Sequence, residues 1–287
     1  MSDNKTNQSM AGKTCMVTGA NSGIGRVTAL ELARQGATVI MVCRSRDKGE
    51  AAFSEIKEKV GRGSLELMIA DLSSQAEIRR LAEEFQHRHH RLDVLVNNAG
   101  VFVRRRSMTV DGIETTFAVN HLAYFLLTNL LLDAIKRSAP ARIVNVSSRA
   151  HASATINFDD LQGERGYGGW NAYCQSKLAN IEFTCELARR VESSGVTANC
   201  LHPGVIATGL FRNLPKIFHL PLQLFLSTPE KGAETSVYLA TSPEVEGITG
   251  KYFAGKRAVV SSPESRDAAI ARRLWEVSEQ LTGLNAA

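Results

Sequence analysis

Short runs of consecutive apolar, often β-branched residues alternate along the chain with longer stretches in which apolar positions recur every three or four residues. The short runs fall at residues 14–17, 38–43, 65–70, 94–96, 142–146, 197–201 and 251–253. Because they are apolar on successive positions, they predict strands buried on both faces. The helical periodicity predicts helices over residues 24–35, 48–60, 75–88, about 112–136 and 172–194. Gly36, Gly61 and Gly195 follow three of these as stops, and Pro140 follows the long one. Residues 229–240 and 263–281 read as two further helices. Strands separated by helices are what parallel pairing requires, since each crossover must travel back across the sheet. The expected fold is therefore α/β, a Rossmann-type doubly wound sheet of seven parallel strands with helices on both faces.

Composition narrows the class. The 287 residues are 44% hydrophobic and 22% charged, with seven prolines and no Pro/Ser-rich linker, so one core over residues 12–287 is expected after a polar N-terminal arm, 1–11, read as disordered. Residues 205–228 break the rhythm with Pro215, Pro221 and a Leu/Phe-rich patch. The net charge of +5 is spread along the chain rather than gathered in a block, which argues against a nucleic-acid partner. Five cysteines without a C-x-x-C pair suggest neither a disulfide framework nor a zinc site, and fit a reducing cytoplasm. The apolar runs at 122–132 and 214–226 are shorter than the roughly 20 residues of a membrane span, so no transmembrane segment is expected. His87, His89 and His90 cannot converge on one ion and read as a basic helix end, and Arg104-Arg105-Arg106 reads as an exposed loop.

The chemistry lies where predicted strands end. The first runs into Thr18-Gly19-Ala20-Asn21-Ser22-Gly23-Ile24-Gly25 and then a helix. A glycine-rich turn at a helix N-terminus offers backbone N–H groups and the positive end of the helix dipole to a phosphate. At the end of the second strand, where an acidic residue would accept the ribose hydroxyl of NAD, the chain has Cys43-Arg44-Ser45-Arg46. A guanidinium there suits a 2′-phosphate and points to NADP(H), with Arg26 as a second candidate. Asp71, before Leu72 at the end of the third strand, reads either as an acceptor for the adenine amino group or as a helix cap. Asn97-Asn98-Ala99-Gly100 ends the fourth strand beside the crevice a cofactor would cross. Tyr173 and Lys177 share one helical face, and an ammonium held near a phenol lowers its pKa of about 10 toward the working range. Ser147-Ser148 closes the fifth strand, where a hydroxyl could orient a carbonyl oxygen.

Through TGANSGIG at 18–25, NNAG at 97–100, Ser148, Tyr173-x-x-x-Lys177 and Pro203-Gly204, the chain resembles the short-chain dehydrogenase/reductase family over about residues 12–255, and in particular its retinol dehydrogenase-like branch. The resemblance implies that Tyr173 is the general acid/base, that Ser148 rather than Ser147 orients the carbonyl, and that Lys177 lowers the tyrosine pKa and binds the nicotinamide ribose. It implies that Asn120 holds a water relaying protons between Lys177 and solvent. It places Gly19, Asn21, Ser22, Gly23, Ile24, Gly25, Arg44, Asp71, Leu72, Asn98, Ala99, Gly100, Tyr173, Lys177, Pro203, Gly204, Ile206 and Thr208 along the cofactor. It also implies a homo-oligomer assembled through the helices holding Asn120 and Tyr173. The 25 residues from Ser148 to Tyr173 imply an inserted loop, as in the retinol dehydrogenase-like branch, and residues 214–226 fall where the family has its substrate lid; alone they read equally as an ordinary buried helix, with an interfacial helix as a third reading. The expected activity is reversible, NADP(H)-dependent interconversion of a small lipophilic aldehyde or ketone, retinal-like compounds included, and its alcohol. The alternative is a nicotinamide-binding regulatory or scaffold protein with little turnover.

Overall fold

The computed structural model describes residues 9–60, 64–204 and 228–284. Its strands are β1 (Thr14–Thr18), β2 (Thr38–Cys43), β3 (Ser64–Ile69), β4 (Val94–Asn97), β5 (Ala141–Val146), β6 (Val196–His202), β7 (Tyr252–Ala254) and β8 (Arg257–Val259). They form one sheet in the order β3-β2-β1-β4-β5-β6-β7-β8. The first seven pair in parallel, and β8 adds to β7 antiparallel. The sequence expectation was seven parallel strands. The eighth is exposed along its length, so no buried face marks it in the sequence. It is turned back by Gly255 and Lys256, both at positive φ (58° and 63°), the backbone a two-residue hairpin loop requires.

The helices are α1 (Gly23–Arg34), α2 (Arg46–Lys59), α3 (Gln75–Arg88), α4 (Thr115–Arg137), α5 (Gly169–Arg190), α6 (Pro229–Thr241) and α7 (Ala268–Thr282). Strand alternation sorts them into two layers. Met16 faces the core shared with α3, α4 and α5, while its neighbours Cys15 and Val17 face the core shared with α1, α2 and α6. Ser45, Ser74, Thr228 and Asp267 cap four of the helices by accepting backbone N–H groups. Strand order reverses between β1 and β4, which opens a crevice above their carboxyl ends.

Two features depart from the sequence picture. Helix α4 is long and apolar enough by length and composition to cross a membrane, yet 78% of its most apolar window is buried within the protein. It is a core helix packed between α3 and α5. Helix α7 lies over α4 and α5: the Trp275 ring meets Phe125 at 4.9 Å and Phe183 at 5.8 Å, and His121 bonds the Ser278 hydroxyl at 2.9 Å. The chain's own C-terminal helix thus covers part of the two helices that the resemblance assigns to self-association.

Candidate active site

The glycine-rich turn is built by close packing at the β1/β4 switch. The Thr18 hydroxyl accepts the backbone N–H groups of Asn98 (2.9 Å) and Ala99 (3.0 Å), and the Asn98 amide donates to the Thr18 carbonyl (2.8 Å). These bonds tie the turn after β1 to the turn after β4. Gly19 and Gly23 have φ of 66° and 55°, and a Cβ at Gly25 would collide with the Gly19 carbonyl and the Asn98 amide. Ser22, at the N-cap of α1, makes no side-chain cap bond. The first N–H groups of a twelve-residue helix therefore point into the crevice without a side-chain acceptor there, next to Asn21 and Ile24, an arrangement suited to a phosphate.

Arg44 stands exposed at the end of β2, and no carboxylate pairs with it among the described residues. The other arginines nearby are engaged, Arg26 with Glu55 and Arg46 with Glu50 at 3.5 Å. Asp71 accepts from the backbone and hydroxyl of Ser73 (2.9 and 2.8 Å), while Ser74 caps α3. Asp71 therefore shapes the turn before the helix and is not itself the cap. Leu72 is buried beside it. Pro203 and Gly204, the latter at φ 95°, follow β6; Ile206, Thr208 and nearly all of the lid, 205–227, lie outside the described residues.

Tyr173, Lys177, Ser148 and Asn120 come together at the ends of β4 and β5. Lys177 is 4% exposed, and its ammonium donates to the Val146 carbonyl at 3.0 Å. It lies over the rings of Tyr173 and Tyr124, 5.7 and 5.9 Å from their centroids. Gly100 leaves open the space beside it: a Cβ there would stand 3.4 Å from Asn120 Oδ1 and 3.6 Å from Lys177 Nζ. The two serines separate cleanly. Ser147 is buried and donates to the Lys177 carbonyl at 2.6 Å, which holds the helix to the strand. Ser148 is half-buried, accepts from the Ala150 N–H at 3.2 Å and bonds the Tyr173 phenol.

Asn120 sits in a π-helical turn of α4, Ala118–Leu122, a distortion that often marks functional sites. Its Oδ1 accepts the Val101 N–H (2.8 Å), and its Nδ2 donates to the Val101 carbonyl and the Ser176 hydroxyl (3.0 Å each). The side chain is thus committed to holding the loop after Gly100 against α5.

Burial sets the electrostatics. Desolvation pushes the Tyr173 phenol up to about 12, with the Ser148 hydrogen bond acting in the opposite direction, and pushes Lys177 down to about 7. Burial outweighs the lowering influence on the phenol, as both groups are nearly out of water. The consequence is a phenol that holds its proton at neutral pH beside a lysine poised to change charge there.

Some contributors carry little sequence signal. Tyr124, read as part of an apolar helix, donates to the Ala99 carbonyl at 2.8 Å and lies under Lys177. Beneath the site, Asn97, Thr128, Asn145 and Thr184 form a buried chain of hydrogen bonds of 2.9 to 3.0 Å. Phe102 and Trp170 flank the Tyr173 ring.

A parallel sheet with its strand order reversed above a glycine-rich turn, and a Ser-Tyr-Lys cluster beside the reversal, define a dinucleotide-binding oxidoreductase. The family model for short chain dehydrogenases matches residues 13–216, and the chain belongs to that family. It is 46% identical to human retinol dehydrogenase 14, over 96% of this chain and 88% of that protein. It is likewise 46% identical to human retinol dehydrogenase 13, over 96% of this chain and 86% of that protein. Among solved structures it resembles an uncharacterised protein from Mycobacterium paratuberculosis (TM-score 0.78, 38% identity, 95% of this chain and 94% of that one). It also resembles the Pseudomonas aeruginosa RhlG/NADP active-site complex (TM-score 0.71, 29% identity, 86% and 96%). The protein is a retinol dehydrogenase-like oxidoreductase of a family that binds a nicotinamide cofactor.

Proposed function

We propose that the protein interconverts an apolar aldehyde or ketone and its alcohol with NADP(H), using Tyr173 as general acid/base. The observation that carries this reading is the meeting of Ser148, Tyr173 and Lys177 beside the β1/β4 crevice. The residues fit the cofactor: Gly100 keeps open a space that a Cβ would fill, Gly25 lets the turn close tightly on the Gly19 carbonyl and the Asn98 amide, and the start of α1 is left for a phosphate. Gly19 to Gly25 would cradle the pyrophosphate, Arg44 would take the 2′-phosphate, and Lys177 would hold the nicotinamide ribose. Bound there, the reduced nicotinamide supplies a hydride to the carbonyl carbon.

The protein's own groups handle the oxygen. Tyr173, protonated at neutral pH, donates to the carbonyl oxygen as negative charge develops on it, and the Ser148 hydroxyl steadies the same atom. Lys177, carrying its proton below about pH 7, stabilises the phenolate that forms and returns a proton to it. Asn120 holds the loop that frames this path. Retinal-like substrates are supported by the likeness to proteins named retinol dehydrogenases and by the aromatic rings around Tyr173.

The test follows oxidation of NADPH, with NADH alongside, against aldehydes and ketones including retinal. Tyr173→Phe should lower turnover by about 10²–10⁴-fold while still binding NADPH. Binding of NADPH without turnover across such a panel would instead favour a regulatory role.

A further inference from the structure

We propose that Trp170 is a specificity-determining residue: its indole forms a wall beside the reacting phenol and favours carbonyl substrates carrying a planar, conjugated group next to the C=O over saturated ones. The inference rests on the catalytic reading above and adds to it a residue outside the Ser-Tyr-Lys cluster.

The chain's two tryptophans have opposite surroundings. Trp275 is 5% exposed, locked between Phe125 and Phe183. Trp170 is 50% exposed, one of only a few large apolar side chains so placed among the described residues. It lies in the first turn of α5, three residues before Tyr173, so the two rings share a helical face. They stack at 5.8 Å with an interplanar angle of 26°. On another side, Phe102, from the loop after Gly100, meets the Tyr173 ring edge-on at 5.9 Å.

This bracket is fixed by the backbone around it. A Cβ at Gly169 would stand 2.5 Å from the Val103 carbonyl oxygen and 3.0 Å from Arg104 Cα, so glycine lets the start of α5 press against the loop that carries Phe102. Tyr167 adds a second tie, donating from its hydroxyl to the Val103 carbonyl at 2.9 Å. Two aromatic side chains from separate segments are thus held against the phenol that would bond the substrate oxygen. An indole left half in water gains from covering its face, and it gains more from a flat π-system, whose stacking adds to area burial, than from a flexible saturated chain. With the substrate oxygen bonded to Tyr173, the group attached to the carbonyl carbon would be the part of the substrate nearest this wall.

The test compares a conjugated and a saturated aldehyde of equal carbon skeleton, cinnamaldehyde and 3-phenylpropanal, in the full chain. The quantity read is the ratio of their kcat/KM values, and its change between variants cancels their intrinsic reactivities. In Trp170→Leu the ratio should fall about three- to tenfold, mainly through KM, while Trp170→Phe keeps most of it. An unchanged ratio in the Leu variant, or an equal loss of kcat for both aldehydes as a merely structural role would give, overturns the proposal. A binding measurement separates this from failure of the catalytic reading. Cinnamyl alcohol, added with NADP, should quench exposed-tryptophan emission in the wild type and in Tyr173→Phe, and not in Trp170→Phe. Absence of turnover in the wild type with that quench intact refutes the catalytic reading alone, and absence of the quench refutes the role of Trp170.

Discussion

Lys177 and Glu182, both on helix α5, are each pulled by burial away from their ordinary behaviour, yet their surroundings differ. Lys177 lies at the crevice, its ammonium bonded to the Val146 carbonyl, with two phenol rings and the open space beside Gly100 as neighbours. Glu182, five residues on, is fully buried, and neither carboxyl oxygen has a hydrogen-bond partner. Burial, reinforced by the nearby carboxylates Asp267 and Glu264, pushes it up to about 9. Burial alone therefore does not mark a site. Lys177 is desolvated beside the phenol and the open space at Gly100 that the proposed reaction would use; Glu182 lies near the carboxylates of the segment leading into α7.

That contrast is broken most sharply at Lys177. Lys177→Met should lower turnover by about 10²–10⁴-fold, since the phenolate loses its stabilising charge and its proton source. In the wild type, carbonyl reduction should fall as pH rises through about 7, where Lys177 gives up its proton, and pH-rate profiles at saturating cofactor read this directly. A reduction rate level to pH 9 would remove Lys177 from the proton path.

Arg44→Asp comes next in expected size. The ratio of kcat/KM for NADPH over NADH should fall about ten- to a hundredfold, the worth of a charge-assisted hydrogen bond to phosphate. An unchanged ratio would move recognition of the 2′-phosphate elsewhere.

The smallest effect tests Glu182 through stability. Its folded-state pKa is raised above the ordinary value of 4.5, so between the two values the folded chain keeps a proton that the unfolded chain has released. Its stabilising contribution is fully present below about pH 4.5 and is lost as pH rises through about 9. Lys177 slopes the other way, because the unfolded chain keeps its proton between about pH 7 and 10.5. Glu182→Gln should remove the alkaline loss, seen as a flatter urea-midpoint profile from pH 6 to 9, and leave turnover within about twofold. Loss of activity in Glu182→Gln would join the two regions that the structure separates.

Much of the architecture was legible in the chain because parallel strands buried on both faces are written as continuous apolar runs, and glycines mark where helices stop. The strands from β1 to β7 and the α/β class follow from that pattern. Strand β8 does not, since an exposed edge strand has no hydrophobic signature. The residues of the cluster were also legible, because Gly-rich turns and the Tyr-x-x-x-Lys spacing place chemistry at strand ends and on one helical face. What the sequence by itself determined was therefore the kind of residue available at each edge of the sheet.

Only the tertiary structure decided which partners each of those residues meets. The choice between Ser147 and Ser148 depends on which hydroxyl the α5 backbone captures, and the engagement of Asn120 depends on where the loop after Gly100 passes. The rise of the Tyr173 pKa depends on how completely packing removes water from it. The covering of α4 and α5 by α7 joins residues more than 140 positions apart in the chain, as His121 meets Ser278. Hydrophobic periodicity is a local property of the chain, whereas desolvation and hydrogen-bond partnership are set by distant segments brought together.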